Sequence, residues 1–174
     1  MDEGRSRASM ADQDVVVTQV TEGSWRELRD VRLAALADAP EAFGSSLRRE
    51  QGFDEERWRA WTRSAAVFIA FAGESPIGMA AGTSGESAAE RKLMAMWVDP
   101  AWRGSNAASK LLGSVVDWAA SEGSERLRLW VAEGNEPARR LYVGRGFEVT
   151  GGRAPMPSNP AVHRNEMVLA LNAH

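Results

Sequence analysis

The segment between residues 92 and 122 constrains the fold of this chain most strongly, because it joins a strand to a helix through small residues. The apolar run at residues 92–98 predicts a strand, and residues 105–122 have the spacing of a helix that Gly123 ends. The turn at residues 103–108, Arg-Gly-Ser-Asn-Ala-Ala, brings several backbone N–H groups to a helix start, where negative charge is favoured. The segment indicates an anion-binding helix start, although an ordinary strand-to-helix turn has a similar composition.

Apolar runs and helix-spaced segments on both sides of this unit predict the rest of the fold. Further helices are predicted to begin at Ser24 and at Asp54 and to cover residues 136–145. The other predicted strands are 15–20, 65–71, 76–83, 127–131, 147–150 and 166–171, whereas 82–90 and 151–160 are predicted loops. This order predicts an α/β (α+β) fold with a mixed central sheet of about seven strands flanked by about four helices.

Two of the helix starts carry local signals, and the first helix carries a cation on its apolar side. Ser24 and Glu27 have the spacing of a capping box, and Phe53 and Trp58 have that of a hydrophobic staple around Asp54. Arg32 falls within the apolar arc of the first helix, where a cation needs a partner. A buried or peripheral ion pair and a contact with substrate or another anion are both open.

Composition bounds the domain count and the partners. The 174 residues, 44% hydrophobic and 26% charged, predict one domain over residues 15–174 after a disordered tail at residues 1–14. There is no cysteine and there are two histidines, so we expect no metal site. The net charge of −3 predicts no nucleic-acid partner and slightly favours a cationic one. No apolar run is long enough for a membrane span, which leads us to expect a cytoplasmic protein.

Two motifs resemble those of the GNAT-type, acetyl-CoA-dependent N-acetyltransferase family. The first, Val98-x-Pro100-x-Trp102-Arg103-Gly104-x-x-Ala107-Ala108-x-x-Leu111-Leu112, is similar to motif A of that family. The other, Asn135-x-x-Ala138-x-x-Leu141-Tyr142-x-x-x-Gly146-Phe147, resembles its second motif. Because both occur in the family's order and on the expected elements, the resemblance implies a single GNAT domain over residues 15–174.

The resemblance also implies where acetyl-CoA binds. The backbone of Met96 and Val98 would hold the pantetheine arm, residues 104–109 the pyrophosphate, and Asn135 the cofactor near its thioester. The implied binding residues are Met96, Trp97, Val98, Arg103, Gly104, Ser105, Asn106, Ala107, Ala108, Ser109, Asn135 and Ala138. Asn106 departs from the family motif, which has Gly there. Because Asn tolerates positive φ and caps helices well, we expect the backbone shape to be kept and the side chain to approach the phosphates.

Transfer of an acetyl group to an amine requires a proton donor for the departing thiolate and a neutral amine. By the resemblance, Tyr142 is the general acid, whereas its sequence context alone also fits a core aromatic residue. Protein-N-terminus-acetylating relatives have a glutamate where this chain has Trp130. The candidate bases are therefore Glu133, Glu90 or water. Phe43, Trp58 and Trp61 are candidates for the amine side, with core packing the expected role of two of them.

The resemblance implies an N-acetyltransferase that acts on a small-molecule or peptide amine through direct attack in a ternary complex. The alternative is a non-catalytic acyl-CoA-binding or interaction domain of the same fold. Dimers are common among relatives, so a homodimer is possible, and the sequence does not identify the acceptor.

Overall fold

A computed structural model describes residues 14–171 of the chain, and these residues form seven strands and five α-helices. The strands are β1 (Val15–Gln19), β2 (Ala66–Ala72), β3 (Ser75–Ser84), β4 (Glu90–Val98), β5 (Arg126–Ala132), β6 (Glu148–Met156) and β7 (Asn159–Ala170). The helices are α1 (Trp25–Asp38), α2 (Leu47–Gln51), α3 (Glu55–Ser64), α4 (Ala107–Ser121) and α5 (Glu136–Arg145). The predicted tail, apart from its last residue, lies outside the described residues. In the part of the chain described, no helix is both long and apolar enough to cross a membrane.

The strands form one mixed sheet in the order β1-β2-β3-β4-β5-β7-β6. The β4–β5 pair is parallel and every other pair is antiparallel. One core packs α4 and α5 against one face of the sheet, and a second core packs α1 and α3 against the other face. The predicted fold class is therefore confirmed, with α2 as a short helix beyond the number expected.

Helix α4 lies against the sheet because one side of it is almost entirely apolar. Leu111, Leu112 and Val115 on this side are at most 1% exposed. The sheet accommodates the helix at Gly82, where an added Cβ would lie 2.3 Å from the Trp118 ring. A side chain at this position of β3 would therefore push the helix and the sheet apart.

The first helix is anchored by an ion pair, which confirms one of the two interpretations of Arg32. Its guanidinium donates to both carboxylate oxygens of Glu50 on α2, at 2.9 and 3.0 Å, and both side chains are buried. The predicted Ser24–Glu27 capping box is wrong, because the Ser24 hydroxyl instead closes a box with Thr21 one turn earlier. Helix α2 is not among the predicted helices; the Ser46 side chain caps its five residues by accepting a hydrogen bond from the Arg49 N–H.

The signals at the start of α3 are confirmed. The Asp54 carboxylate accepts a hydrogen bond from the Arg57 N–H at 2.8 Å. Across this cap the rings of Phe53 and Trp58 meet edge to face, with their centroids 5.4 Å apart.

The two predicted loops are wrong in extent. Strand β3 continues to Ser84 and β4 begins at Glu90, so the first loop is short. Residues 151–160 form the turn of a long β6–β7 hairpin and the strand segments next to it. Glycine and proline suggested a loop, but β6 is an edge strand, where proline is tolerated. Register shifts between Val149 and Arg153 and between Pro155 and Met156 absorb the irregular residues.

Candidate active site

The two parallel strands at the centre of the sheet separate halfway along their length. β4 and β5 pair through Glu90 with Arg126, Arg91 with Leu127 and Lys92 with Arg128, and form no pair beyond these. β4 continues beside β3 and β5 beside β7, so a gap opens between β4 and β5 toward their carboxyl ends. Ligands of α/β sheets bind outside the carboxyl ends of parallel strands, which makes this gap the candidate site.

A bulge in β4 lies at the mouth of the gap. Met94 pairs with Ala81 and Trp97 pairs with Met79, so Ala95 and Met96 together oppose a single residue of β3. Ala95 has φ of 58°, a left-handed conformation that costs an alanine about 1–3 kcal/mol. Bulges reorient the strand at functional sites. The strained residue directly precedes Met96, the residue expected to begin the pantetheine-binding backbone.

The helix start after β4 offers unpaired backbone donors. The Ser105 hydroxyl accepts from the Ala107 N–H at 3.2 Å, while the N–H groups of Gly104, Asn106, Ala108 and Ser109 donate to no atom of the residues described. The residues that carry these four N–H groups have no side chain, a small side chain or an exposed one. Several N–H groups at a helix start suit an anion such as a pyrophosphate.

The left-handed residue of this turn is Gly104, not Asn106. Gly104 has φ of 85° with no atom within 4 Å of an added Cβ, so the turn needs glycine for its backbone conformation. Asn106 has φ of −82°, and its side chain makes no capping hydrogen bond. The two roles considered for Asn106, positive φ and side-chain cap, are therefore both wrong. Any residue can adopt its backbone conformation, so the departure from glycine leaves the turn intact.

The Arg103 side chain is hydrogen-bonded to other protein groups. Its guanidinium donates to the Asp38 carboxylate at 2.6 Å and to the Val98 carbonyl at 3.3 Å. Asp38 also accepts from the Trp97 indole N–H at 2.9 Å. Asp38, at the end of α1, thus ties both residues to the opposite layer of the fold, and the contacts seen for Arg103 and the Trp97 side chain are structural.

The second motif follows β5 as the first follows β4. Asn135 caps α5, since its side-chain oxygen accepts from the Ala138 N–H at 3.4 Å. Ala138 is half-buried against the core beneath. Because β4 and β5 are parallel neighbours, the starts of α4 and α5 lie at the same edge of the sheet. The topology thus brings together two segments that are separated by 25 residues of sequence, 110–134.

Tyr142 is buried within the core that joins α5 to α4 and the sheet. It is 5% exposed, and its ring meets Phe147 edge to face at 5.7 Å. Burial raises the pKa of the Tyr142 phenol, because the ionised form is poorly solvated there. The phenol therefore stays protonated at neutral pH, as a proton donor must, but it is a weaker acid than an exposed tyrosine.

The two candidate carboxylate bases lie at opposite ends of the gap. Glu90 lies where β4 and β5 are still paired, and hydrogen bonds from Arg128 at 2.9 and 2.7 Å lower its pKa. This position and pairing speak against Glu90 as the base. Glu133 follows β5 at the open end, where hydrogen bonding to Arg153 at 2.6 Å lowers its pKa. Within residues 14–171, no group of histidine, aspartate or glutamate residues is placed to hold a metal ion.

A cavity of about 340 Å³ lies on the α1 side of the gap, between β4, β5, the Ala42–Gly44 segment and the β6–β7 turn. Of the three aromatic candidates, Phe43 lines it, whereas Trp58 is buried in the core and Trp61 faces another groove. The sequence reasoning missed Lys92, Met94 and Arg164, which also line the cavity. Strand alternation could have placed Trp130 on the same face as Arg128, but pairing with β7 was needed to bring Arg164 beside it.

Comparison with known proteins agrees with this geometry. A model of the acetyltransferase (GNAT) family matches residues 29–147. A mycothiol acetyltransferase from Brachybacterium faecium is 27% identical over 124 residues, which are 70% of this chain and 37% of that protein. The chain thus spans little more than a third of the length of this curated relative.

Solved structures share the fold. The putative acetyltransferase yncA from Salmonella typhimurium, solved with its cofactor acetyl-CoA, has a TM-score of 0.74 at 19% identity, covering 92% of this chain and 96% of that one. An acetyltransferase of the GNAT family from Streptococcus pneumoniae has a TM-score of 0.75 at 17% identity, covering 91% and 100%.

Parallel strands that separate, a bulged central strand and a helix start with unpaired N–H groups define an α/β domain that can bind an anionic ligand outside the carboxyl ends of its parallel strands. The match over residues 29–147 shows that the chain belongs to the acetyltransferase (GNAT) family, whose acyl donor is acetyl-CoA.

Proposed function

We propose that this protein is an N-acetyltransferase that transfers the acetyl group of acetyl-CoA to the primary amine of a small molecule or peptide in a ternary complex. The observation that carries the proposal is the row of unpaired N–H groups at the start of α4, the helix that follows the bulged strand β4 along the chain. The family match supports the same activity. Acetyl-CoA supplies the acyl group as a thioester, and the amine nitrogen replaces sulfur on the acetyl carbon.

The residues of the cofactor side fit acetyl-CoA. Four unpaired N–H groups can donate to pyrophosphate oxygens, namely those of Gly104, Asn106, Ala108 and Ser109. The positive end of the helix dipole favours the negative charge of the pyrophosphate. The strand backbone of Met96 and Val98 borders the gap, where it is available to the amide groups of the pantetheine arm. Asn135 lies at the neighbouring helix start and would hold the cofactor near its thioester.

Tyr142 is proposed as the general acid for the coenzyme A sulfur. A thiol has a pKa of about 8.5 and an unperturbed phenol one of about 10, so the transfer is uphill, and burial increases the difference. The proton must therefore pass as the thiolate forms, when its affinity for the proton is greatest. The base for the amine is Glu133 or water, and of these Glu133 is at the open end of the gap.

The test is thiol release from acetyl-CoA by the purified chain with a panel of primary amines. We expect turnover with at least one amine. Tyr142→Phe should lower kcat by about 10²–10⁴-fold, the usual contribution of general acid catalysis. Acetyl-CoA affinity should remain, because phenylalanine keeps the ring contact with Phe147.

A matched control is Phe147→Leu, which disturbs the same aromatic pair without removing a proton donor. If both variants lose kcat equally, the role of Tyr142 is packing. Tight acetyl-CoA binding with no turnover on any amine would support the alternative, a non-catalytic acyl-CoA-binding domain. We further propose residues 15–174 as the domain and a cytoplasmic location, and gel filtration of the same sample tests the possible homodimer.

A further inference from the structure

The cavity on the α1 side of the gap carries positive charge that the described residues do not balance. Four cationic side chains line it, and no carboxylate does. They are Arg32, Lys92, Arg128 and Arg164. The net charge of the whole chain is −3, so this local charge runs against the overall balance.

Two of the four cations already have carboxylate partners behind the cavity wall. Arg32 is paired with Glu50 at 2.9 Å. Arg128 is paired with Glu90 at 2.7 Å and with Glu166 at 2.6 Å, so its charge is fully balanced. Lys92 and Arg164 form no ion pair with any residue between 14 and 171. The uncompensated charge of the cavity is therefore that of Lys92 and Arg164.

Arg164 is held in place without a hydrogen-bonding partner. Its guanidinium carbon lies 4.6 Å from the centroid of the Trp130 ring, within the range of a cation–π contact. Its Nε is buried, yet it donates to no acceptor among the described residues. A buried donor without a partner costs free energy, and a guanidinium is suited to a carboxylate, which it can bind through two parallel hydrogen bonds.

Apolar side chains form much of the remaining wall. Phe43, Met94 and Met156 line the cavity, and so does Ala95 at the bulge. The volume of about 340 Å³ is near the lower end of the range of about 300–1,000 Å³ for ligand pockets. The cavity therefore joins an anion-binding end, an apolar wall and an exit into the gap, at a size that suits a small molecule.

We propose that the acetyl acceptor is a small amine that also carries a carboxylate, of the size of a single amino acid. Arg164 and Lys92 bind the carboxylate, the apolar wall receives the side chain, and the amine faces the gap beside Ala95. This inference rests on the proposed acetyltransferase function and specifies its substrate class. Polyamines and other acceptors with a second cationic group are disfavoured, because they would place like charges together in the cavity.

The test compares standard L-amino acids with their own carboxamides, which keep the amine and the side chain but lack the negative charge. Thiol release from acetyl-CoA gives kcat/KM for each pair. At least one acid should exceed its amide by about 10–100-fold, the fold-change that corresponds to hydrogen bonds with a charged group. Calorimetric titration of the same pairs into the chain saturated with coenzyme A measures binding without turnover.

Arg164→Gln should lower kcat/KM of the preferred acid to that of its amide, while the amide and the KM for acetyl-CoA stay unchanged. Arg91→Gln is the matched control, since Arg91 also lies over a tryptophan, at 5.9 Å from the Trp118 ring centroid, but outside the cavity. It should change neither substrate. Lys92→Gln tests the second cation if Arg164→Gln does not fold.

The outcomes separate the two proposals. Amides used as well as their acids, or no acid bound in the presence of coenzyme A, would overturn the carboxylate inference. If no amine releases thiol, the acetyltransferase proposal fails, and the calorimetric comparison of acids with amides still decides the charge preference of the cavity.

Discussion

The buried ion pair between Arg32 and Glu50 should be a large local contributor to stability that depends on both partners. Their side chains are 7% and 3% exposed and share two hydrogen bonds of 2.9 and 3.0 Å. Glu50→Gln removes the negative charge and leaves a cation in a site shielded from water. Breaking one side of such a pair costs about 3–5 kcal/mol.

The structure places the expected cost at the lower end of that range. The Arg32 guanidinium also lies 4.7 Å from the Phe43 ring centroid and 5.3 Å from that of Trp61, and these contacts survive the substitution. We therefore expect a loss of about 3 kcal/mol, or about 6–12 °C in Tm for a domain of this size. The double variant Arg32→Met with Glu50→Leu should recover most of the loss, because no unpaired charge remains.

Urea unfolding followed by circular dichroism measures the free energy of unfolding of each variant. The control is Glu55→Gln, which breaks the Arg59–Glu55 pair, whose side chains are 31% and 51% exposed, and should cost about 1 kcal/mol or less. A loss for Glu50→Gln no greater than that of the control would refute the reasoning. So would a double variant that is less stable than Glu50→Gln alone.

Three further predictions concern the core and the turn. Gly82→Ala should lower the free energy of unfolding in urea by about 1–3 kcal/mol, because the new Cβ meets the Trp118 ring. The control Gly144→Ala, with no atom within 4 Å of the new Cβ, should be neutral or stabilising in helix α5. Equal effects of the two substitutions would contradict the packing argument. Tyr142 is the only tyrosine, so tyrosinate absorbance reports its ionisation directly and should appear at higher pH in the folded than in the urea-unfolded chain. Because burial raises the pKa of the folded chain's phenol, the stability that the neutral phenol contributes is present below about pH 10 and is lost as the pH rises above it. Coincident titrations of the folded and unfolded chains would contradict this. Asn106→Gly should leave the fold intact and tighten acetyl-CoA binding in calorimetry, and weaker binding would show that the amide side chain contributes a contact.

The order of elements was predictable because each depends on residues close together in sequence. The strand, the turn and the helix of residues 92–122 each have a local signal, and the staple around Asp54 does too. The same local reasoning failed for residues 151–160, whose glycine and proline content suits a loop as well as an edge strand. The position of β6 at the sheet edge decides between them, and that position is a property of the whole sheet.

The candidate site also has one part that was predictable from local sequence and one part that was not. The anion-binding turn was predictable from one continuous segment, although the residue with positive φ is Gly104 and not Asn106. The proposed acceptor cavity was not predictable, because its walls come from six separate parts of the chain: α1, the Ala42–Gly44 segment, β3, β4, β5 and the β6–β7 hairpin. The positive charge of the cavity could not be predicted from the sequence for the same reason. The overall balance of −3 slightly favours a cationic partner, yet it does not reveal that Lys92 and Arg164 face a cavity without carboxylates.

The different origins of the two halves of the site affect how readily each can change. The turn proposed to bind the cofactor is a single run of backbone between β4 and α4, where a substitution of Gly104 would alter the shape that presents the N–H groups. The cavity proposed for the acceptor is bounded in part by the Ala42–Gly44 segment and by the tip of the β6–β7 hairpin, which carry Phe43, Met156 and Pro157. Replacing these peripheral segments would change which molecules fit while donor binding stays intact, so the architecture allows the acceptor to diversify in evolution around a constant donor.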